Sequence, residues 1–319
     1  MKIRSAMMVL ISVLVLVFSS VAQAQDMPDV DLCFGLAEAD CAAIEGATGD
    51  ILLSAENFSI DYSIDLNVTG LPDGDILFSH SGIGSLAIDP TAEFPISMSL
   101  DTLNNIDAMG DTFTDPIPVG IVDGILYVQV EGAWQGVNLI EAMDDPEFAQ
   151  MFEGLNDPEA MADEMMGEMP DMDPETMEAL GSLLSIDGFL SQTRSGDDFQ
   201  FTADLGTLFT SPEFSEAITS AAEMDESGMV MGLGMMLPML LENGTIQLTR
   251  HLNTELNAVD RVELAIDGVI NAAMMDPELE DPIVIDLDFS FQVGGINESP
   301  VEFAVPADVE MVDPSSSEF

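Results

Sequence analysis

Thioethers and carboxylates crowd one stretch, "MADEMMGEMPDMDPETM" at 161–177, which holds six methionines, six acids and no base. Methionine sulfur can ligate Cu(I), and Met161/Met165, Met166/Met169 and Met169/Met172 stand at helical or near-helical spacing. His80 and His251 are both remote in sequence, and methionine more commonly fills irregular apolar space. Asp171, Asp173 and Glu175 raise calcium, but Thr176 stands where an EF-hand loop needs glycine and Ser182 where it needs glutamate. Loosely bound cations are therefore expected, with no dedicated metal site and no cofactor.

Hydrolytic chemistry finds little support. The chain contains no G-x-S-x-G, H-E-x-x-H or P-loop pattern, and carboxylate pairs carry no catalytic signal among sixty acids. No catalytic residue is assigned and no enzyme activity is expected. By parity His80 and Arg250 fall on apolar strand faces, either paired with a carboxylate inside a core or serving as polar contacts in a ligand cavity. Trp134, the single tryptophan, is read in the same two ways, as packing or as a ligand contact.

Compartment follows from the start of the chain. Residues 1–24 carry Lys2 and Arg4, an apolar run from Met7 to Phe18, and Ala22-Gln23-Ala24, the three-part layout of a cleaved secretory signal peptide. The run is shorter than the roughly 20 residues of a spanning helix, and no later segment is apolar enough to span. A secreted or extracytoplasmic location, in a periplasm or cell envelope, is expected. There Cys33 and Cys41 pair as a disulfide. A straight helix would hold residues eight apart about 12 Å from each other, so the chain must fold back near Gly35 before a short helix from about Ala37.

Charge is the most abnormal quantity. The formal net charge is −55, and loss of Lys2 and Arg4 leaves only Arg194, Arg250 and Arg261 against 60 acids. Self-repulsion on this scale calls for screening salt, divalent cations or acid conditions. Nucleic acid is excluded as a natural ligand, because phosphate binding needs cations that this chain lacks, and anionic membrane surfaces are disfavoured for the same reason. With 47% hydrophobic residues the chain can nonetheless build a core.

The elements that would position these residues are mostly strands. Phe58, Ile60, Tyr62, Ile64, Leu66 and Val68 alternate with polar residues, and the pattern returns at Phe94–Leu100, Phe199–Leu205, Val262–Ile266 and Ile283–Val293. One face of an antiparallel sheet therefore meets water, unlike a doubly wound parallel sheet. Gly82 and Gly84 on an apolar strand face mark a bend or the close approach of another group. Asp123-Gly124 is a hairpin turn, and Glu131-Gly132 is a further turn candidate. Two blocks, about 141–186 and 211–244, read as helical, with prolines dividing the first and Asn243-Gly244 ending the second.

A short N-terminal helix, long strands, the pattern DG-x-LY ending in G-x-W from Asp123 to Trp134, helices, a strand pair, more helices and closing strands span residues 33–312. This order resembles the LolA and LppX/LprG-like superfamily of bacterial lipoprotein and lipid carriers. The resemblance implies a curved antiparallel sheet forming an incomplete barrel, with helices on its concave face enclosing an apolar cavity for acyl chains. The chain differs in lacking a lipid-anchor cysteine and in its acidity.

The combined expectation is an α+β fold, a long, curved, mostly antiparallel sheet with helices on its apolar face. One domain at 25–313 follows the signal peptide, and a disordered tail occupies 314–319. The expected ligand is an apolar or lipid-like small molecule, held by Met165, Met169, Met235, Met236, Phe289 and Phe291 with His80, Arg250 and Trp134. The rival expectation is a cell-envelope structural or interaction protein whose sheet and helices pack shut.

Overall fold

A computed structural model of the chain describes residues 33–47, 55–72, 74–89, 91–92, 94–108, 111–130, 132–142, 182–224, 241–271 and 282–312. The strands are β1 (Asn57–Thr69), β2 (Ile76–Ile88), β3 (Ile96–Ala108), β4 (Asp111–Val122), β5 (Ile125–Val130), β6 (Ala133–Asn138), β7 (Leu190–Ser195), β8 (Asp198–Asp204), β9 (Leu241–Asn253), β10 (Ala258–Ile270), β11 (Ile283–Gly294) and β12 (Val309–Val312). Helices α1 (Glu38–Glu45), α2 (Leu139–Ala142), α3 (Leu205–Thr210) and α4 (Pro212–Met224) accompany them. Residues 1–24, 143–181, 225–240 and 313–319 lie outside the described residues, and with them the expected signal peptide, the methionines at 161–177 and 229–239 and the expected tail.

All twelve strands belong to one sheet in the order β12-β6-β5-β4-β3-β2-β1-β11-β10-β9-β8-β7. Two meanders, β1 to β6 and β7 to β10, are joined by β11, which pairs with β1 on one side and β10 on the other. Only β12 against β6 is parallel among the pairings described. The end strands β12 and β7 do not meet, so the sheet is unclosed, and the α+β class with a curved, mostly antiparallel sheet is as expected. Strands β1, β2, β3, β9 and β10 each run 13 residues, about twice the usual length, and strands so long must twist and coil.

Alternation sorts each strand's side chains onto two faces. On the first face Phe58, Ile60, Tyr62, Leu86, Met98, Leu100, Ile121, Leu126, Val137, Phe291 and Val293 are buried in one cluster. Phe94, Leu139 and Ala142 close it, so α2 caps this end of the sheet. Each such large side chain contributes on the order of 1.5–3 kcal/mol by leaving water. A smaller cluster, Ile44 with Phe199 and Leu252, seats α1 on the β8–β9 end of the sheet. The Cys33–Cys41 disulfide, with Cα atoms 5.5 Å apart, holds the turn before α1. Gly35 there has φ +97°, the left-handed backbone the fold-back needs.

The second face is mostly polar, with Leu77, Ile83 and Leu103 exposed on it, and the C-terminal segment crosses it as a strap. Asn57 accepts from the Asn297 and Ser299 amides, Ser85 Oγ donates to the Pro300 carbonyl, and the Phe303 ring lies between Tyr127 and Trp134. Gly120 makes this possible, because a Cβ there would stand 2.4 Å from the Phe303 ring. Beyond the strap, β12 completes the sheet beside β6.

Candidate functional site

Strand register turns the first face into rows of side chains. One row runs Phe113, Ile106, Phe78, Leu66, Leu287, Ile266, Ile246, Ala203 and Leu190 across β4, β3, β2, β1, β11, β10, β9, β8 and β7. Every member is apolar. Yet Phe113 is 50% exposed and Ile106 36%, and all the others except Ala203 are only partly buried. Sequence alone could not show this row, because it needs the order of nine strands as well as their parity.

The adjacent row is polar at its ends: Asp115, Asn104 and His80, then Ile64, Phe289, Leu264, Leu248 and Phe201, then Gln192. The next holds Thr102, Gly82, Tyr62, Phe291, Val262, Arg250, Phe199 and Arg194. His80 and Phe289 thus share one row and Phe291 and Arg250 the next. His80 and Arg250 are four strand spacings apart, about 19 Å along the sheet at the usual inter-strand distance. One small polar group cannot touch both.

His80 is 5% exposed and engaged on both ring nitrogens. Asn104 Oδ1 can only accept, so Nδ1 carries the proton and donates to it, while Nε2 accepts from the Tyr62 hydroxyl at 2.6 Å. Burial favours the neutral ring, and it is in that form that Nε2 accepts from Tyr62. Burial pushes its pKa below the ordinary value, against an opposing effect of the Asn104 bond, and burial pushes the Tyr62 phenol up. Gly82 gives the Tyr62 ring its place, since a Cβ there would stand 2.5 Å from Tyr62 Cε1.

Arg250 is partly buried, and burial lowers its pKa. Its cross-strand neighbours are Val262 and Phe199, and Leu248 and Leu252 flank it along β9. Arg194 lies over the other side of that row, its guanidinium 4.9 Å from the Phe199 ring centroid and Nη1 2.6 Å from Asp40 of α1. On the opposite face His251 and Arg261 reach Asp198 at 2.7 and 3.1 Å. The His251 hydrogen bond, then the Arg261 charge, hold that carboxyl below its usual range.

Trp134 does not join these residues. It alternates with Val137 onto the strap-covered face, where its ring meets Phe303 edge-on at 5.8 Å. An open depression of about 850 Å³ lies beside it, lined by Gln129, Pro306, Val309 and Glu310 among others. Met165, Met169, Met235 and Met236 lie outside the described residues. Among the described residues no group of three or more His, Cys, Asp or Glu is placed to hold a metal ion, and no helix is long and apolar enough to cross a membrane.

No family model matches the chain, and no curated protein matches it in sequence. Among solved structures it is similar to LprF from Mycobacterium bovis, with 11% identity, 81% of this chain and 96% of that chain covered, and a TM-score of 0.21.

Proposed function

We propose that this chain is an extracytoplasmic, non-enzymatic binding or carrier protein for an apolar or lipid-like molecule held on the helix-bearing face of its sheet. The observation that carries this reading is the nine-strand apolar row, left partly exposed beside rows that bury Tyr62, Phe291 and Phe199. Contiguous apolar surface of this kind costs free energy in water, and an apolar guest recovers it. The disulfide and the N-terminal sequence support an oxidising compartment outside the cytoplasm. Residues 25–313 are read as one domain because β11 bonds the two meanders into a single sheet. Met165, Met169, Met235 and Met236 are proposed as an adaptable lining over this face.

The test is titration with a fluorescent fatty-acid analogue, competed by unlabelled lipid. Saturable binding is expected, weakened by Ile106→Glu and Phe113→Glu, whose exposure lets the variants fold. Absence of saturable binding by the wild type would overturn the carrier reading in favour of a sheet and helices that pack shut.

A further inference from the structure

No lysine or arginine occurs between Arg4 and Arg194, so β1 to β6 carry acids and no permanent cation. On the apolar face of β1–β4 the polar side chains other than carboxylates are Tyr62, His80, Thr102 and Asn104. Three of them have spent their donors. The Tyr62 hydroxyl goes to His80 Nε2, the His80 Nδ1 proton to Asn104 Oδ1, and the Thr102 hydroxyl to the Ile117 carbonyl at 2.7 Å. This chain of bonds ends on the Asn104 oxygen and fixes the amide by it, leaving both Nδ2 hydrogens as donors with no partner among the described residues. Asn104 is only partly buried, and its neighbour along β3 on this face is Ile106, which with Phe113 forms the most exposed end of the apolar row. From Ile106 the row runs through Phe78, Leu66 and Leu287 to Leu190, seven strand spacings or about 34 Å along the sheet. Across β4, Asn104 faces Asp115. A fixed N–H pair at the head of an apolar track calls for an oxygen acceptor. A carboxylate or phosphate head would bring its charge toward Asp115, with no cation on these strands to offset it.

We propose that Asn104 Nδ2 donates to the head of the ligand, so that the carried molecule is a neutral lipid presenting an ester carbonyl or hydroxyl oxygen, with its chain along Ile106, Phe78 and Leu66. This rests on the carrier reading above and narrows it from apolar ligands in general to uncharged lipids with an oxygen acceptor. An ester carbonyl only accepts, whereas a hydroxyl accepts and also donates, and either satisfies the amide. A bare hydrocarbon would leave the two N–H groups covered and unpaired, which costs free energy that the oxygen-bearing lipid avoids.

The full mature chain would be loaded with the neutral apolar probe N-phenyl-1-naphthylamine at physiological ionic strength, about 0.15 M. Methyl decanoate, decan-1-ol, decanoate and 1-bromodecane, a chain with no oxygen, would then be compared as displacers, below the concentrations at which they self-associate. The ester and the alcohol are expected to displace the probe better than decanoate, and their order identifies the head. Asn104→Asp keeps an oxygen for His80 Nδ1 and loses both donors. There the ester's affinity relative to the bromide's should fall roughly fivefold, as loss of one neutral hydrogen bond would give. The alcohol should lose less, because its own hydroxyl can donate to the new carboxylate. Asp115→Asn should strengthen decanoate against the ester by about threefold or more. Circular dichroism confirms that each variant folds. An undiminished ester affinity in folded Asn104→Asp would overturn the head-group assignment while leaving the carrier reading intact. Decanoate outcompeting both neutral oxygen ligands on the wild type would overturn it equally, and needs no variant. No gain for decanoate in Asp115→Asn would overturn the exclusion of anions. Failure of the wild type to bind the neutral probe would overturn the carrier reading itself.

Discussion

The Tyr62 hydroxyl lies 2.6 Å from Nε2 of His80, joining neighbouring strands β1 and β2 inside the apolar face. Tyr62→Phe removes the donor and strands a buried acceptor, which should cost about 1–3 kcal/mol in urea denaturation. The same pair predicts a pH effect. Folding lowers the His80 pKa through burial, so below the unfolded value of about 6.5 the unfolded chain binds the proton more readily. Stability from neutral His80 is complete above that pH and is lost as pH falls through the folded pKa. Wild type should therefore lose stability relative to His80→Gln between pH 7.5 and 5. A pH-independent difference would refute this account.

Gly84 predicts a larger and purely steric effect. A Cβ there would stand 2.0 Å from the Ser99 carbonyl oxygen and 2.9 Å from Leu100 Cα, both backbone atoms of β3. The strands must part to admit it. Gly84→Ala should destabilise by about 1–3 kcal/mol, read as a lower urea midpoint with an unchanged slope. A midpoint equal to wild type would show that the strands part freely.

Reduction of the Cys33–Cys41 disulfide should act locally as well as globally. Closing so short a loop contributes about 2 to 3 kcal/mol by chain entropy. It also holds the segment that brings Ile44 to Phe199 and Leu252. Reductant should lower the melting temperature and speed amide exchange first in α1 and β7. Recovery of both cysteines as free thiols by peptide mapping without reductant would contradict the pairing.

On the polar face Asp65 faces Asp288 directly, and Asp267 faces Asp286. Like charges opposite each other on paired strands are destabilising by a few tenths to about 1 kcal/mol. Asp288→Asn should therefore stabilise the protein in low salt, and the gain should vanish in about 1 M salt, where the Debye length is roughly 3 Å. A gain that persists in high salt would point away from charge. Melting temperature of the wild type should itself rise with salt, given sixty acids and so few bases.

Much of the sheet is legible in the sequence because alternation is a local signal. Phe58 to Val68 and Ile283 to Val293 announce β1 and β11 without ambiguity, and Asp123-Gly124 turns with φ of +51° and +73° as its residue types require. Gly82 and Gly84 mark close approach, by the Tyr62 ring and by the β3 backbone. Strand β4 was harder to see, since Pro116 and Pro118 interrupt it. They are tolerated because β5 pairs only with Val119–Val122, which leaves the proline portion of β4 at an open edge. Asn243-Gly244 reads as a helix stop, yet it lies inside β9, where Gly244 admits Leu205 of α3. The opposite facing of Trp134 and Val137 was available from parity alone. How far apart His80 and Arg250 stand was not, because four intervening strand spacings depend on β11 entering between the two meanders.

That insertion of β11 dictates when the molecule can come together. A chain emerging from its N-terminus can zip β1 to β6 through neighbouring turns cheap in loop entropy, and β7 with β8 and β9 with β10 likewise, while β9 must join β8 across residues 205–240. Until residues 283–294 arrive, β1 and β10 are each left as a bare 13-residue edge with unsatisfied amides and carbonyls. Each is a template for the wrong partner, including the same edge of another copy. The acids at Asp61, Asp65, Glu263 and Asp267 on those two strands then do a second job, as like charges that keep nascent copies apart until the last long strand locks the halves.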